Sequence, residues 1–455
     1  MQFPNVLIIS QPFNNDTGGG VTLTNLFSGW PSNKLAVACT GYVLEFNVDT
    51  SICRNIYQIG HKEDKWMFPF NLLKRKYASG PIKLGEKRIQ NFSIPNKSKL
   101  RAKLITKYML PFLRLIGFNH FVKRTVLSDD LRKWLDELKP DVIYARAEDR
   151  IRAAFCMEVQ AYVNKPMVYH VMDEWPDLNA DGLFKKYWDK KVDTSLRTLI
   201  KHSSLLMSIC DEMSIEYMKR YHEEFIPFHN PVELDFWKPH QKTNYDLSSS
   251  PTLLYAGRIG LGIDSSLKTI AKAIDQVNEE LNMSAKFILQ TQPGEKPGWL
   301  AEYKCVQHQS FVPYEDLPKV LSSADFMVLP YDFAREPLKF IRLSMPTKAS
   351  EYMISGTPII VFAPEETAIV KYAQQLGWAK VIVENNVEIV ATAIRQLFQS
   401  KEERRRIAQN AIQVAEKNHD SRKITRSFQD AICSLTQKSE VNLHENTSIP
   451  FCIPT

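Results

Sequence analysis

Residues 5–21 read Asn5-Val6-Leu7-Ile8-Ile9-Ser10-Gln11-Pro12-Phe13-Asn14-Asn15-Asp16-Thr17-Gly18-Gly19-Gly20-Val21. A short apolar, β-branched run ends before a proline, and three consecutive glycines then open a helical stretch. The run reads as a buried strand, residues 5–10, and the glycines as the turn from strand to helix. Without side chains they let a ligand come close to the backbone, and the helix N-terminus behind them favours negative charge. The turn is not the Gly-x-Gly-x-x-Gly dinucleotide fingerprint, and no acid about twenty positions on marks a ribose. A plain flexible turn is the other reading.

The same alternation of short apolar runs with helical-length stretches continues along the chain, which argues for parallel sheets with crossover helices. Strands are predicted at 5–10, 34–39, 141–145, 166–171 and 204–209, then at 252–256, 286–290, 324–330, 358–363 and 379–383. At 455 residues the chain is too long for one ordinary core, so two α/β domains are expected. Ile226-Pro227-Phe228-His229-Asn230-Pro231 and the polar stretch to Pro251 separate the two sets of strands. Proline disfavours both helix and central strand, which places an interdomain hinge near 227–240. Residues 387–435 read as charged helices and the last twenty as a loose tail. No internal repeat is visible.

Composition excludes several classes. Hydrophobic residues make up 44% and charged residues 24%, as in a soluble globular protein. No run approaches the roughly 20 apolar residues of a spanning helix, and no signal peptide is read at the N-terminus. The seven cysteines are scattered without metal-ligand spacing, consistent with reduced thiols in a cytoplasmic protein. The net charge of +7 is local: residues 74–124 hold fourteen Lys or Arg against Glu86 alone, +13, so the remainder sums to −6.

Three further motifs carry chemistry. Tyr255-Ala256-Gly257-Arg258-Ile259-Gly260-Leu261-Gly262 ends the first strand of the second half. A glycine turn with a forked, permanent guanidinium suits a diphosphate, although a surface ion pair is the plainer account. Ser344-Met345-Pro346-Thr347-Lys348-Ala349-Ser350-Glu351-Tyr352 precedes Gly356-Thr357-Pro358. Pro346 suits a first helical turn, and Glu351 would then lie about a turn and a half into the helix. A carboxylate there can accept from both hydroxyls of a ribose, or it is simply solvated. Tyr169-His170-Val171-Met172-Asp173-Glu174-Trp175-Pro176 places an imidazole and two acids at a strand end, where α/β enzymes put chemistry. A structural histidine is the alternative, and the acids lack a metal spacing.

Taken in order, these residues resemble the retaining GT-B glycosyltransferases, also called family four or group one. The matching elements are Gly18 to Gly20, Asn230-Pro231-Val232 before Phe236, Gly257-Arg258, and Phe311-Val312-Pro313 leading into Asp316-Leu317. Ala324-Asp325 through Leu329-Pro330 and Glu351 with Gly356-Thr357-Pro358 complete the series, over about residues 5–420. The resemblance implies an α/β fold of two Rossmann-like domains facing each other across a cleft, with C-terminal helices crossing back to the first. The expected division is an N-terminal acceptor domain over 1–230, a C-terminal donor domain over 231–400, crossing helices over 401–435 and a flexible tail over 436–455. By position Arg258 matches the family's diphosphate arginine, and Glu351 its ribose-binding second glutamate. Phe311, Val312 and Pro313 match the turn that holds the base, and His170 resembles the histidine beside the transferred sugar.

Two departures stand out. Leu343 occupies the place of the first glutamate of the E-x7-E motif, and the lysine that usually follows the diphosphate arginine is absent. Lys348 is expected to supply the lost charge, with the amides of 343–346, including Ser344, Met345 and Pro346, holding sugar and phosphate. The donor set is therefore Gly18, Gly19, Gly20, Gly257, Arg258, Phe311, Val312, Pro313, Ser344, Met345, Pro346, Lys348 and Glu351. His170 and Asp173 are positioning candidates beside Arg258 and Lys348.

The expected reaction is transfer of a sugar from a nucleotide diphosphate sugar to a glycan, lipid-linked, with retention of anomeric configuration and no metal or other cofactor. The resemblance also points to bacterial surface polysaccharide synthesis. The basic, partly apolar segment 74–124, with Lys74, Arg75 and Lys76 at its start, suits an anionic membrane carrying the acceptor; no nucleic-acid signature accompanies it. A solvated insertion is the bland reading. The expected location is cytoplasmic, peripheral on the inner face of the membrane. The rival readings are a GT-B-fold nucleotide-sugar epimerase and a non-catalytic scaffold subunit.

Overall fold

The computed structural model describes residues 2–15, 17–41, 48–68, 70–72, 77–82, 105–175, 182–260, 262–292 and 296–446. The chain forms two compact units. Unit 1 comprises Met1–Ser208, Ser214–Phe228 and Thr425–Thr455, and unit 2 comprises Ile209–Met213 and His229–Ile424. Both are Rossmann-like α/β bodies.

Unit 1 contains β1 (Val6–Ile9), β2 (Leu35–Thr40), β3 (Asn55–Ile59), β4 (Asp64–Trp66), β5 (Gly80–Pro81), β6 (Lys123–Thr125), β7 (Val142–Ala145), β8 (Met167–Val171), β9 (Leu205–Ser208) and β10 (Ile226–Pro227). Eight of them form one sheet in the order β10-β9-β8-β7-β1-β2-β3-β5, while β4 and β6 pair separately. Every ladder of the large sheet is parallel except β3 with β5. The central strands are buried along their whole length because helices cover both faces of a parallel sheet. The helix Gly18–Leu26 follows β1, with the Thr17 hydroxyl capping it by accepting from the Gly20 amide at 3.1 Å.

Unit 2 contains β11 (Thr252–Ala256), β12 (Lys286–Thr291), β13 (Val306–Ser310), β14 (Phe326–Pro330), β15 (Ile359–Phe362) and β16 (Lys380–Ile382). They form an all-parallel sheet in the order β13-β12-β11-β14-β15-β16. The helices Asp264–Leu281 and Val387–Gln399 pack on it through a continuous apolar cluster around Leu253, Phe287, Val328, Ile274 and Ile394.

The helix Lys401–Asn418 belongs to unit 2, not to a crossing segment. Arg404 explains this: buried, it donates to the carbonyls of Tyr245, Leu397 and Phe398 and so is anchored within that unit. The next helix, Ser421–Asn446, changes unit at Thr425 and continues past the tail boundary expected at 436. Residues 437–446 contain neither glycine nor proline, so nothing in the sequence stops the helix there. Its Phe428 is fully buried and makes edge contacts with Phe27, Tyr144 and Phe228.

The six described cysteines are free and buried. Among the described residues no helix is long and apolar enough to cross a membrane.

Candidate functional site

In unit 2 the end of β11 and the start of the helix Lys348–Ser355 are bound together. The Tyr352 hydroxyl accepts from the Ala256 amide at 2.8 Å and donates to the Ala256 carbonyl at 3.1 Å. The Lys348 ammonium donates to that same carbonyl at 3.1 Å and lies 4.0 Å from the centre of the Tyr255 ring. Gly257 makes this approach possible, since a Cβ there would fall 2.2 Å from the Lys348 Nζ. The Tyr255 hydroxyl donates to the Arg258 carbonyl, fixing the turn, and the Arg258 side chain is exposed on it.

The helix starts at Lys348, not at Pro346, so Glu351 lies in its first turn. Lys348 and Glu351 are both half-buried and electrostatically coupled. Burial pulls the Lys348 ammonium down to about 7, against the opposing pull of Glu351. Burial likewise pushes Glu351 up to about 7, against Lys348. Such a lysine becomes a full cation when an anion arrives. Ahead of the helix, Ser344 and Met345 are buried; the Ser344 hydroxyl donates to Phe340 O, and Met345 O accepts from Asn230 at 3.1 Å. These bonds hold the 344–347 approach to the helix in place.

Phe311 continues from β13, its amide bonded to Thr291 O, and its side chain is exposed. Tyr314 follows, its ring stacked on Phe236 at 5.3 Å. Burial and then the Glu351 charge raise the Tyr314 phenol, which brings this turn into the electrostatic reach of Glu351.

In unit 1 the strand ends tell a different story from the sequence. His170 is fully buried, its Nδ1 hydrogen-bonded to the Tyr144 hydroxyl at 2.5 Å and its ring packed near Phe428, while its Nε2 is buried with no hydrogen-bond partner. Burial and then the Arg146 charge pull it down to about 3, so it is a neutral core histidine. The reason is register: His170 precedes the last residue of β8, within the covered part of the sheet.

Asp173, beyond the strand, is half-exposed and meets a residue the motifs did not single out. Arg146, just after β7, places a guanidinium nitrogen 3.4 Å from Asp173 Oδ2 and 2.7 Å from Glu148 Oε1. The sequence signal was an arginine directly after an apolar strand, Val142-Ile143-Tyr144-Ala145-Arg146. Glu174 turns inward, 1% exposed in its side chain, and pairs with Arg220 at 2.7 Å. Lys74, Arg75 and Lys76 lie outside the described residues. Among the described residues no three His, Cys, Asp or Glu side chains gather in a metal-binding group.

Residues 250–400 match the family model described as "Glycosyl transferases group 1". Solved structures align along nearly the whole chain. The Anabaena protein HepE, solved with UDP and glucose, is 13% identical with a TM-score of 0.54, covering 95% of this chain and 100% of its own. Sucrose-phosphate synthase from Thermosynechococcus elongatus is 11% identical with a TM-score of 0.59, covering 95% and 99%. WaaG, a glycosyltransferase involved in lipopolysaccharide biosynthesis, is 14% identical with a TM-score of 0.54, covering 94% and 99%. At these identities the likeness is one of fold, the GT-B fold. No curated protein matches the sequence. Over residues 250–400 the chain is thus similar to the group 1 glycosyl transferases.

Proposed function

We propose that this protein transfers a sugar from a nucleoside diphosphate donor to a glycan acceptor, with retention at the anomeric carbon. The observation that carries the reading is the grouping of Lys348, Glu351 and the Gly257-Arg258 turn inside a region similar to the group 1 glycosyl transferases. Lys348 and Arg258 would face the diphosphate and Glu351 the ribose hydroxyls. The turn at Phe311, Val312 and Pro313 would receive the base. HepE, of like fold, was solved with UDP-glucose, a donor of this class.

The chemical task is to stabilise charge on the departing diphosphate. The bond from the anomeric carbon to the phosphate oxygen breaks, a bond to the acceptor oxygen forms on the same face, and the acceptor proton passes to the departing phosphate. Lys348 and Arg258 supply the positive charge, so no metal is needed in this reading. A thermal-shift screen of nucleoside diphosphate sugars identifies the donor. A ligand at a hundredfold excess over its Kd stabilises by roughly 2.7 kcal/mol. Release of nucleoside diphosphate that depends on acceptor then supports transfer, whereas donor binding without any turnover refutes it.

Arg258→Ala is expected to weaken donor binding about ten- to a hundredfold, because a charged hydrogen bond to phosphate contributes about 1.5–3 kcal/mol. The fold should be untouched, since the side chain is exposed. Calorimetry showing unchanged donor affinity removes Arg258 from the site.

The acceptor is proposed to be lipid-linked and met at an anionic membrane. In unit 1 exposed Tyr108, Phe112, Leu115, Phe121, Leu183 and Phe184 belong to neighbouring segments, the Leu183 amide donating to Leu115 O at 2.8 Å. Exposed Lys107, Arg124 and Lys186 accompany them. Contiguous exposed apolar surface marks an interaction site, and each cation near an anionic bilayer contributes about 1 kcal/mol. The protein should co-sediment with anionic vesicles at low salt and little with neutral ones. Changing Phe112, Leu183 and Phe184 to Ser should abolish most of that. Wild-type protein left in the supernatant at low salt refutes the membrane reading.

A further inference from the structure

Trp188, in the helix Lys185–His202, is the buried hub of an aromatic cluster in unit 1. The His120 ring stacks on it at 4.2 Å, and Phe121 and Tyr187 each meet it edge-on at 5.0 Å. Phe121 and Tyr187 are exposed, so the cluster joins the indole to the apolar surface that includes Phe184. Gly117 is needed for this packing: its φ is 69°, and a Cβ there would fall 1.8 Å from the indole nitrogen. Against the indole lies Arg150, its Cζ 5.8 Å from the centre of a Trp188 ring. Arg150 opens the helix Arg150–Val163, which follows β7, so it stands beyond the carboxyl end of a strand. Open α/β sheets bind their ligands at that end.

Arg150 is half-buried, and its guanidinium carries five N–H groups. One reaches the His120 carbonyl at 3.4 Å, and the buried Nε has no hydrogen-bond partner. The acids beside it pair elsewhere: Glu148 with Arg146 at 2.7 Å and Arg152 at 3.0 Å, and Asp149 with Arg152 at 3.6 Å. Asp189, next to Trp188, pairs with Lys185 at 2.9 Å. Among the described residues no carboxylate pairs with Arg150. The neighbouring charge is also positive. Residues 185–193 hold four lysines against Asp189 and Asp193, and Lys186, Lys190 and Lys191 are exposed. Contact with the indole holds the guanidinium in place but does not satisfy its N–H groups. A planar fork of donors among further cations suits a phosphate. Tyrosine and tryptophan beside exposed apolar side chains suit the headgroup level of a bilayer. Apolar face, unpaired guanidinium and strand ends thus follow one another in the order lipid, phosphate, sugar.

We propose that Arg150 binds a lipid-borne phosphate ester, the group that joins lipid to glycan in the acceptor, with the alkyl chain on the exposed face of Phe121, Phe184 and Tyr187. The proposal rests on the lipid-linked acceptor reading and adds the chemistry of the link.

The test is calorimetry on the full chain with octyl phosphate, octyl glucoside and inorganic phosphate, all below micelle formation. Octyl phosphate is expected to bind about ten- to a hundredfold more tightly than octyl glucoside, through charged hydrogen bonds. It should exceed inorganic phosphate by about tenfold or more, through its alkyl chain. Arg150→Met, whose side chain still covers the indole, should bring octyl phosphate down to the octyl glucoside level. Arg150→Gln should do the same, although its amide can still donate to His120 O. Arg150→Lys should recover part of the preference, which a merely structural role would not produce. Lys186→Met removes one exposed cation and should cost no more than about fivefold. If Arg150→Met fails to fold, Arg150→Gln and Arg150→Lys decide. Inorganic phosphate bound as tightly as octyl phosphate, or an intact preference in Arg150→Gln, overturns the proposal. Lys348→Met, titrated in parallel, separates the two units: a preference lost there and kept in Arg150→Gln places the phosphate in unit 2 and refutes this site. Equal binding of the two octyl compounds refutes the phosphate site alone, whereas no binding of either refutes the lipid-linked reading with it.

Discussion

Replacing Lys348 with methionine should lower turnover about 100- to 1000-fold, the usual cost of removing one preorganised charge from a developing oxyanion. Methionine keeps the stem packed against Tyr255, so Tm should change little. The wild-type protein carries a second signature of the same group. With its pKa pulled down to about 7, Lys348 is mostly neutral at pH 8, whereas the bound diphosphate favours the ammonium. Binding at pH 8 should therefore take up roughly one proton, read as calorimetric heats that differ between buffers of unlike ionisation enthalpy. The sign follows from the direction of the shift. A depressed lysine must regain its proton to meet an anion, so affinity falls as pH rises above about 7, by up to about tenfold per unit. Glu351, also near 7, is already ionised between pH 8 and 9 and adds nothing to that slope. Buffer-independent heats and a flat affinity over this range would remove Lys348 from the diphosphate site.

The largest effect on stability is expected from Arg220→Ala. Glu174 is 1% exposed in its side chain and Arg220 is 27% exposed, and Glu216 also pairs with Arg220 at 2.6 Å. Removing the arginine takes this counter-charge away from a carboxylate in the interior of unit 1. Breaking a buried pair in this way costs about 3–5 kcal/mol, and the partial exposure of Arg220 places the expectation near 3. In a body of some 200 residues that lowers Tm by roughly 6–12 °C. The double change Glu174→Leu with Arg220→Met should recover most of the loss, because no lone charge remains. A single variant that melts within about 2 °C of wild type contradicts this account.

Most of the strands that were legible in the sequence are ones the fold buries on both faces, the edge strand β16 being the exception. All ten predicted runs became strands, from Val6–Ile9 to Lys380–Ile382, because a parallel core demands continuous apolar, β-branched residues. The two longer strands that escaped notice are less apolar. β13, Val306-Gln307-His308-Gln309-Ser310, is an edge strand whose side chains largely meet solvent, so its sequence carries no apolar signal. β3, Asn55-Ile56-Tyr57-Gln58-Ile59, has two polar residues among its five, Asn55 exposed and Gln58 buried.

The site divides in the same way. Glycine turns and the Lys348 to Glu351 spacing are local patterns, visible in one dimension. Arg146 and Asp173 are 27 residues apart and meet only because β7 and β8 are adjacent. The burial of His170 was not legible because β8 is covered on both faces along its whole length, which a strand-end position in the sequence does not reveal.

Phe428 fills the aromatic cluster of Phe27, Tyr144 and Phe228, yet it is made long after its neighbours. Unit 1 is thus split by nearly 200 residues of unit 2. At roughly 5–20 residues per second, synthesis leaves that slot open for about 10–40 seconds. During this interval the nascent first unit presents an unfilled apolar groove, while unit 2 is being completed behind it. The order of completion on the ribosome is therefore reversed from the order of the sequence: the second unit can close first, and the first waits for the final helix. A premature stop even thirty residues from the end would leave the earliest-made unit unfinished.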